Sequence, residues 1–103
     1  MNEIYLKNAK DEDFAKLVGQ EISCIKTDGN NSAITDQALR YVPKIIGLRE
    51  LDLEWAIGVT DKGIEQLKKA KFLSYIDLSF CTNISEGAIF KLKTEKPGIT
   101  IER

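Results

Sequence analysis

The chain has 103 residues, of which 43% are hydrophobic and 30% charged, and its formal net charge is −1. These values predict one soluble globular domain and exclude a general attraction of the chain to nucleic acid or to an anionic membrane. No apolar run approaches the ~20 residues that a membrane-spanning helix needs. Two cysteines, Cys24 and Cys81, are too few for a disulfide framework, which favours a reducing compartment.

The N-terminal segment, residues 1–21, precedes any recognisable repeat in the sequence. Asp11-Glu12-Asp13 begins a helical pattern, since acidic residues in a first turn suit the helix dipole. Phe14, Leu17 and Val18 line one side of this pattern, and Gly19 is the predicted end of the helix. We predict an N-terminal cap that covers the open apolar edge of the following unit. The alternative is an arm that binds a partner.

Residues 22–103 show a repeat. The phrases Ile34-Thr35-Asp36, Val59-Thr60-Asp61 and Ile84-Ser85-Glu86 follow one another at intervals of 25 residues. The apolar residues between them keep the same spacing. A fixed period of this size indicates a repeat architecture. We therefore predict a single domain, residues 1–103, composed of the cap, the repeats and a closing C-terminal strand.

Each repeat predicts a strand, a turn and a helix. Residues 22–27 form the first predicted strand, but either Cys24 or Ile25 could face inward. The turn at residues 28–32 carries about three extra residues when it is measured back from the first phrase. Alternation predicts two further strands, Leu51-Asp52-Leu53 and Ile76-Asp77-Leu78. Residues 99–101 read as a final strand, two residues early against the period.

The helices have clear start and stop signals. Thr35, Thr60 and Ser85 are the predicted N-caps, whose hydroxyl oxygens accept a backbone N–H. The acidic residue that follows each of them favours the positive end of the helix dipole. Pro43 ends the first of these helices, and Pro97-Gly98 breaks the last.

The third unit carries the most specific pattern. It reads Leu73-x-x-Ile76-Asp77-Leu78-Ser79-Phe80-Cys81-x-x-Ile84-Ser85-Glu86-Gly87. This resembles the cysteine-containing class of leucine-rich repeats, found in F-box substrate adaptors and their relatives. The resemblance covers about residues 34–101 and implies an α/β solenoid with a parallel sheet on its concave face and helices on its convex face. Ala56 replaces the cysteine in the second unit, and residues 1–21 are too short for an F-box, so membership in a ubiquitin ligase is not implied.

A weaker resemblance is to the family of mitochondrial ATP synthase coupling factor B and related respiratory assembly factors. It rests on the length, the capped N-terminus and the divergent first unit. The first residues have neither the pattern of a signal peptide nor that of an Arg-rich transit peptide. We therefore predict a cytoplasmic protein, with the mitochondrial matrix as the alternative if a transit peptide has been removed.

The outward residues of the predicted strands define the candidate binding site. Successive side chains of a strand point to opposite faces, so the acidic residues beside the inward leucines face the concave surface. Asp52 and Asp77 should lie side by side, where like charges repel. Trp55 and Phe80 follow the two strands at equivalent positions and could be either core or exposed. The predicted partner-binding residues are Glu50, Asp52, Glu54, Trp55, Tyr75, Asp77, Ser79 and Phe80. The competing interpretation is an ordinary polar solvent face.

Catalysis and cofactor binding have little support in the sequence. There is no histidine, which removes the commonest general base. Asp52, Glu54 and Asp77 offer oxygen ligands of the type that hard cations prefer, but no spacing enforces a site. Cys81 reads as a buried structural residue. We predict no enzyme activity, no metal and no cofactor.

The predicted function is a non-catalytic interaction module, or an assembly or adaptor factor. It would bind a protein partner, through a basic segment of that partner, on the acidic concave surface. One alternative is a structural subunit or capping fragment that pairs its sheet edges in a larger assembly, which leaves a homo-oligomer open. The other is a protein like the ATP synthase coupling and assembly factors. We predict no nucleic-acid partner and no membrane contact. The helix-layer lysines read as a solvated face, or as a second docking surface for an acidic partner or an anionic lipid; they are Lys62, Lys68, Lys69, Lys71, Lys91 and Lys93.

Overall fold

The computed structural model describes residues 2–103 as an open, five-stranded parallel sheet with helices between the strands. Every strand pairs with the next strand along the chain, so β1 and β5 form the two edges. The strands are β1 (Glu3–Lys7), β2 (Cys24–Asp28), β3 (Glu50–Asp52), β4 (Tyr75–Asp77) and β5 (Thr100–Glu102). The helices are α1 (Asp11–Ala15), α2 (Asp36–Tyr41), α3 (Asp61–Gln66) and α4 (Glu86–Glu95). Turns of 3-10 helix, Val42–Lys44 and Leu67–Lys69, extend α2 and α3. Within residues 2–103, none of these helices combines the length and the apolar character needed to cross a membrane.

One row of aliphatic side chains crosses the sheet and forms the floor of the core. Ile25, Leu51 and Ile76 are neighbours in register and are fully buried, while Ile4 and Ile101 continue the row at the two edges. This register answers the question left open for β2, because Ile25 faces the helices. Cys24 lies in the alternate row with Glu50 and Tyr75, on the open face of the sheet.

The helix layer covers that core row and begins at the predicted caps. The hydroxyl oxygens of Thr35 and Thr60 accept the N–H of the residue two positions on, at 3.2 and 3.3 Å, and Ser85 accepts from Ala88 at 3.1 Å. These N-cap predictions are confirmed. Successive helices contact one another, and their buried apolar residues join those of the strands in one core. The prediction of an α/β protein with a parallel sheet is likewise confirmed.

A series of aspartates links each helix to the next and was not anticipated beyond its effect on the helix dipole. The hydroxyl of Thr60 donates to one carboxylate oxygen of Asp36 at 2.6 Å, and the Thr60 N–H donates to the other at 2.7 Å. Asp11 accepts the same two bonds from Thr35, and Asp61 accepts them from Ser85. We call these three contacts the aspartate links. Each one fixes the start of a helix to the start of its predecessor.

The N-terminal segment has the same strand–helix order as the rest of the chain, which the sequence patterns did not show. β1 pairs with β2 along its five residues, and α1 packs on α2. Asp11 lies 25 residues before Asp36 and takes part in the first aspartate link. Phe14 is buried, whereas Val18, placed on the same apolar side by the sequence pattern, is 40% exposed. The segment covers β2, as a cap would, but it does so with a strand and helix of its own.

Two predicted spacings differ from the structure. Ile25 and Leu51 are 26 residues apart, against 25 for the later pairs, so this unit contains one extra residue and not three. The final strand is also not early, because Ile101 is the partner of Ile76 at a separation of 25 residues. Counting from Ile99 produced the apparent shift of two residues, but Ile99 precedes the strand and packs against the core.

Candidate functional site

The open face of the sheet, opposite the helices, carries the predicted site on β3 and β4. Glu50 pairs with Tyr75, and Asp52 pairs with Asp77, as the 25-residue period predicted. Glu102 extends the second row onto β5. On β1 and β2 the open face carries Lys7 and Lys26 together with Glu3 and Asp28, so the net negative charge is concentrated on the half of the face formed by β3 to β5. The expectation of an acidic surface therefore applies to that half.

Asp52 and Asp77 tolerate their proximity because each carboxylate is held by the backbone of its own strand end. Oδ1 of Asp52 accepts the N–H of Glu54 at 2.9 Å, and Oδ1 of Asp77 accepts the N–H of Ser79 at 2.8 Å. Each of these bonds places the partial positive charge of an N–H group beside a carboxylate oxygen. These bonds offset part of the repulsion across the strands and restrict the rotation of both side chains.

Glu54 completes a cluster of three half-buried carboxylates. One oxygen from each of Asp52, Glu54 and Asp77 can be chosen so that all lie within 4.8 Å of one another. Burial, and then the charges of Asp77 and Asp52, raise the pKa of Glu54 above its ordinary value. Burial and nearby carboxylates, Asp77 first, also raise the pKa of Tyr75. Exposed acidic groups often gather without an ion, so this geometry alone assigns no metal.

Trp55 and Phe80 lie beside the carboxylates as an exposed, stacked pair. Their ring centroids are 4.2 Å apart with an interplanar angle of 11°, and each side chain is 53% exposed. Both residues have positive φ angles, 65° and 62°, which non-glycine residues rarely adopt. The Trp55 N–H donates to the Ser79 carbonyl at 2.9 Å, which joins the two loops. The structure thus decides between core and surface in favour of the surface. We call Asp52, Glu54, Trp55, Asp77 and Phe80 the acidic–aromatic site.

The buried residue Asn31 supports this site through hydrogen bonds. The sequence patterns assigned Asn31 only to a turn. Its side chain is 3% exposed, and its amide Nδ2 donates to the Glu54 carbonyl and to the Thr27 hydroxyl, both at 2.8 Å. Thr27 in turn donates to the Asp52 carbonyl at 3.3 Å. Within residues 2–103, Oδ1 of Asn31 has no hydrogen-bond partner. The turn composition of residues 28–32 concealed this role.

Cys81 supports the site in a similar way from the other side. Its Sγ contacts the Leu53 carbonyl at 3.0 Å, and the side chain is buried beside the position of Ala56. Burial is the main cause that raises the pKa of this thiol, although a backbone N–H of Ala56 opposes it. A buried, protonated thiol is a poor nucleophile. This environment fits the structural role predicted for Cys81.

The arrangement can therefore present negative charge and a flat aromatic surface, both held by short backbone contacts. All eight predicted site residues lie on or next to β3 and β4, and their role in binding stays a prediction. Comparison of the chain with models of protein families and with curated proteins gives no match in either case.

Proposed function

We propose that this protein is a short leucine-rich-repeat solenoid that acts as a non-catalytic interaction module. In this proposal the acidic–aromatic site binds a segment of a partner protein that carries arginine or lysine. The observation that supports it best is the exposed Trp55–Phe80 stack beside three carboxylates. Exposed aromatic residues next to a charged group are typical of interface centres, where a few such side chains contribute most of the binding energy.

The chemistry of the site favours arginine as the central contact. A guanidinium group can donate two parallel hydrogen bonds to a carboxylate and can also stack on an aromatic ring. The stacked pair follows the same two strands that carry the Asp52–Asp77 pair, so one end of these strands offers groups for both contacts. Such a cation–π contact contributes about 0.5–1 kcal/mol when it is exposed, and about 2 when it is shielded from water.

The fixed geometry of the site adds to this argument. The loss of side-chain freedom normally opposes binding, at roughly 0.5–1.5 kcal/mol for each side chain that becomes ordered. Asp52 and Asp77 are already held by backbone N–H groups, and the two rings already hold each other. Less ordering therefore remains for the complex, which favours a preformed docking surface over a coincidental group of polar residues.

Fluorescence provides a direct test, because Trp55 is the single tryptophan of the chain. A peptide of about ten residues rich in arginine should change the Trp55 emission saturably, and a glutamate-rich peptide of equal length should not. The triple variant D52N/E54Q/D77N removes the charges but keeps oxygen acceptors for the N–H groups of Glu54 and Ser79. The matched control E12Q/E65Q/E95Q removes three charges from the helix layer.

We expect the site variant to weaken peptide binding roughly tenfold or more, since three charge-assisted contacts are lost. The control, which has the same net charge, should bind like the wild type. Equal weakening in both variants would mean that the peptide senses only net charge. In that case the assignment of the acidic–aromatic site as a docking surface is wrong.

A further inference from the structure

The opposite rim of the sheet carries a second and chemically different surface. The residues that precede β3 and β4 lie at the end of the strands away from Trp55 and Phe80, because all strands run in the same direction. Two adjoining depressions at this rim, of about 610 and 180 Å³, share Lys71 and Phe72 in their linings. Five cations line them: Arg49, Lys68, Lys69, Lys71 and Lys96. We call these five, together with Ile46 and Phe72, the basic rim.

Two large apolar side chains stand among these cations. Phe72 is 56% exposed and Ile46 is 53% exposed, and both line the smaller depression. The Lys71 ammonium lies 5.6 Å from the centroid of the Phe72 ring. Packing in the core explains neither position, because the neighbouring residues Leu48 and Leu73 already fill the core and are buried.

The charge of the basic rim is only partly neutralised by the protein itself. Glu95 is the one acidic residue among the described residues that line the two depressions, and its carboxylate lies 4.0 Å from Lys68. Lys96 donates to the Ala70 carbonyl at 2.7 Å. Lys69 and Lys71 make no ion pair within residues 2–103. An overall charge of −1 thus conceals a cationic surface.

We propose that the basic rim binds the surface of an anionic lipid bilayer, with Phe72 and Ile46 entering the interfacial layer. An apolar centre surrounded by lysines matches the surface of such a membrane, where lipid phosphates lie above an apolar layer. Lysine stems can lie along the apolar material while their ammonium groups reach the lipid phosphates. Charge complementarity alone would also allow an acidic peptide. The peptide, however, would leave Ile46 and Phe72 without an apolar environment, and the bilayer does not.

This inference changes the prediction that the protein makes no membrane contact, which rested on net charge and on the lack of a long apolar run. Neither observation detects a patch assembled from residues 46–49, 68–72 and 95–99. Binding at this rim would direct the acidic–aromatic site, at the other end of the strands, away from the membrane. It does not depend on what that site binds.

Co-sedimentation with vesicles tests the inference. The wild type should bind vesicles that contain about one-third phosphatidylserine in phosphatidylcholine, and bind pure phosphatidylcholine at least tenfold less. Each lysine near an anionic bilayer contributes roughly fivefold to binding, so K68Q/K69Q/K71Q should weaken it about 100-fold. The matched control K62Q/K91Q/K93Q, which removes three exposed lysines from α3 and α4, should change binding less than threefold.

The apolar contribution has its own matched pair. F72S should weaken vesicle binding severalfold, whereas F90S should not, although Phe90 on α4 is 74% exposed. Thermal melts identify any variant that fails to fold, and the lysine variants then decide the question alone. Equal effects of the two lysine triples, or binding of a soluble glutamate-rich peptide without binding of vesicles, would overturn the proposal.

Discussion

Removal of one aspartate link should destabilise the whole domain. The substitution Asp36→Ala tests this most directly, because it removes both hydrogen bonds of one link. Asp36 is half-buried and accepts bonds of 2.6 and 2.7 Å from Thr60. Hydrogen bonds to charged groups contribute about 1.5–3 kcal/mol each. Because water can reach part of this carboxylate, we take the low end for both bonds, which gives about 3 kcal/mol. A loss of this size should lower the Tm by roughly 12–24 °C.

Glu86 provides the matched control, since it occupies the same first position in α4. Its carboxylate is 92% exposed and contacts Arg103 at 3.1 Å, but it accepts no bond from a following helix. Glu86→Ala therefore removes the dipole contribution and a surface ion pair, about 1 kcal/mol in total. The difference between the two variants isolates the link from the general effect of an acidic residue at a helix start.

Urea unfolding followed by far-UV circular dichroism measures both variants. A double-mutant cycle with Thr60→Ala should show a coupling of at least about 1 kcal/mol between Asp36 and Thr60. If Asp36→Ala proves too unstable to study, Asp36→Asn keeps one acceptor and should lose roughly half as much. A destabilisation by Asp36→Ala no larger than that by Glu86→Ala would refute the reasoning.

Three further predictions concern the pH dependence of stability, the substitution of two glycines and the labelling of Cys81. The raised pKa of Glu54 gives stability that is present below its ordinary value of 4.5 and lost as pH rises through the raised value. Glu54→Gln should therefore flatten the fall of the unfolding free energy as the pH rises above 4.5, and a parallel fall in both proteins would contradict this. A Cβ at Gly63 would overlap with Oδ1 of Asp36, whereas at Gly87 it would meet nothing closer than 3.7 Å. Gly63→Ala should destabilise the protein by about 1–3 kcal/mol in urea titrations, and Gly87→Ala should stabilise it by roughly 0.4–1 kcal/mol. If both substitutions changed the unfolding free energy in the same direction, the close approach of Gly63 to Asp36 would be contradicted. Burial raises the pKa of Cys81, so a thiol reagent should label it only as fast as the protein unfolds, and rapid labelling in native buffer would disprove its enclosure.

Much of the architecture follows from local signals that the sequence displays openly. The caps Thr35, Thr60 and Ser85 carry hydroxyls at a fixed spacing. A hydroxyl residue directly before a helical pattern is typical of a helix N-cap. The same spacing placed Asp52 beside Asp77, because a parallel sheet built from equal units keeps equal register. These predictions needed no knowledge of how distant parts of the chain pack.

The remaining features depend on contacts that residue types do not reveal. The 25-residue interval leads back from Asp36 to Asp11, but the small Ala9 and the charged Lys10 replace the branched aliphatic and hydroxyl residues of the later phrases, so the pattern was concealed. The exposure of Trp55 and Phe80 depends on a positive φ at both residues, and neither residue type predicts it. The basic rim joins loops that are far apart in sequence, and the net charge of the chain does not reveal this local excess of cations.

The aspartate links have a further consequence for how the chain comes apart. The main contacts of each strand and each helix are with its immediate neighbours, and each of the three links joins two neighbouring helices only. In such a linear array cooperativity passes from one interface to the next, and the weakest interface sets the boundary of partial unfolding. Asp61 is exposed while Asp36 is half-buried, so amide hydrogens of α4 and β5 should exchange before those of the middle of the sheet. The molecule would then unfold from its C-terminal end. The strand β5, at the outer edge of the acidic half of the open face, would separate first.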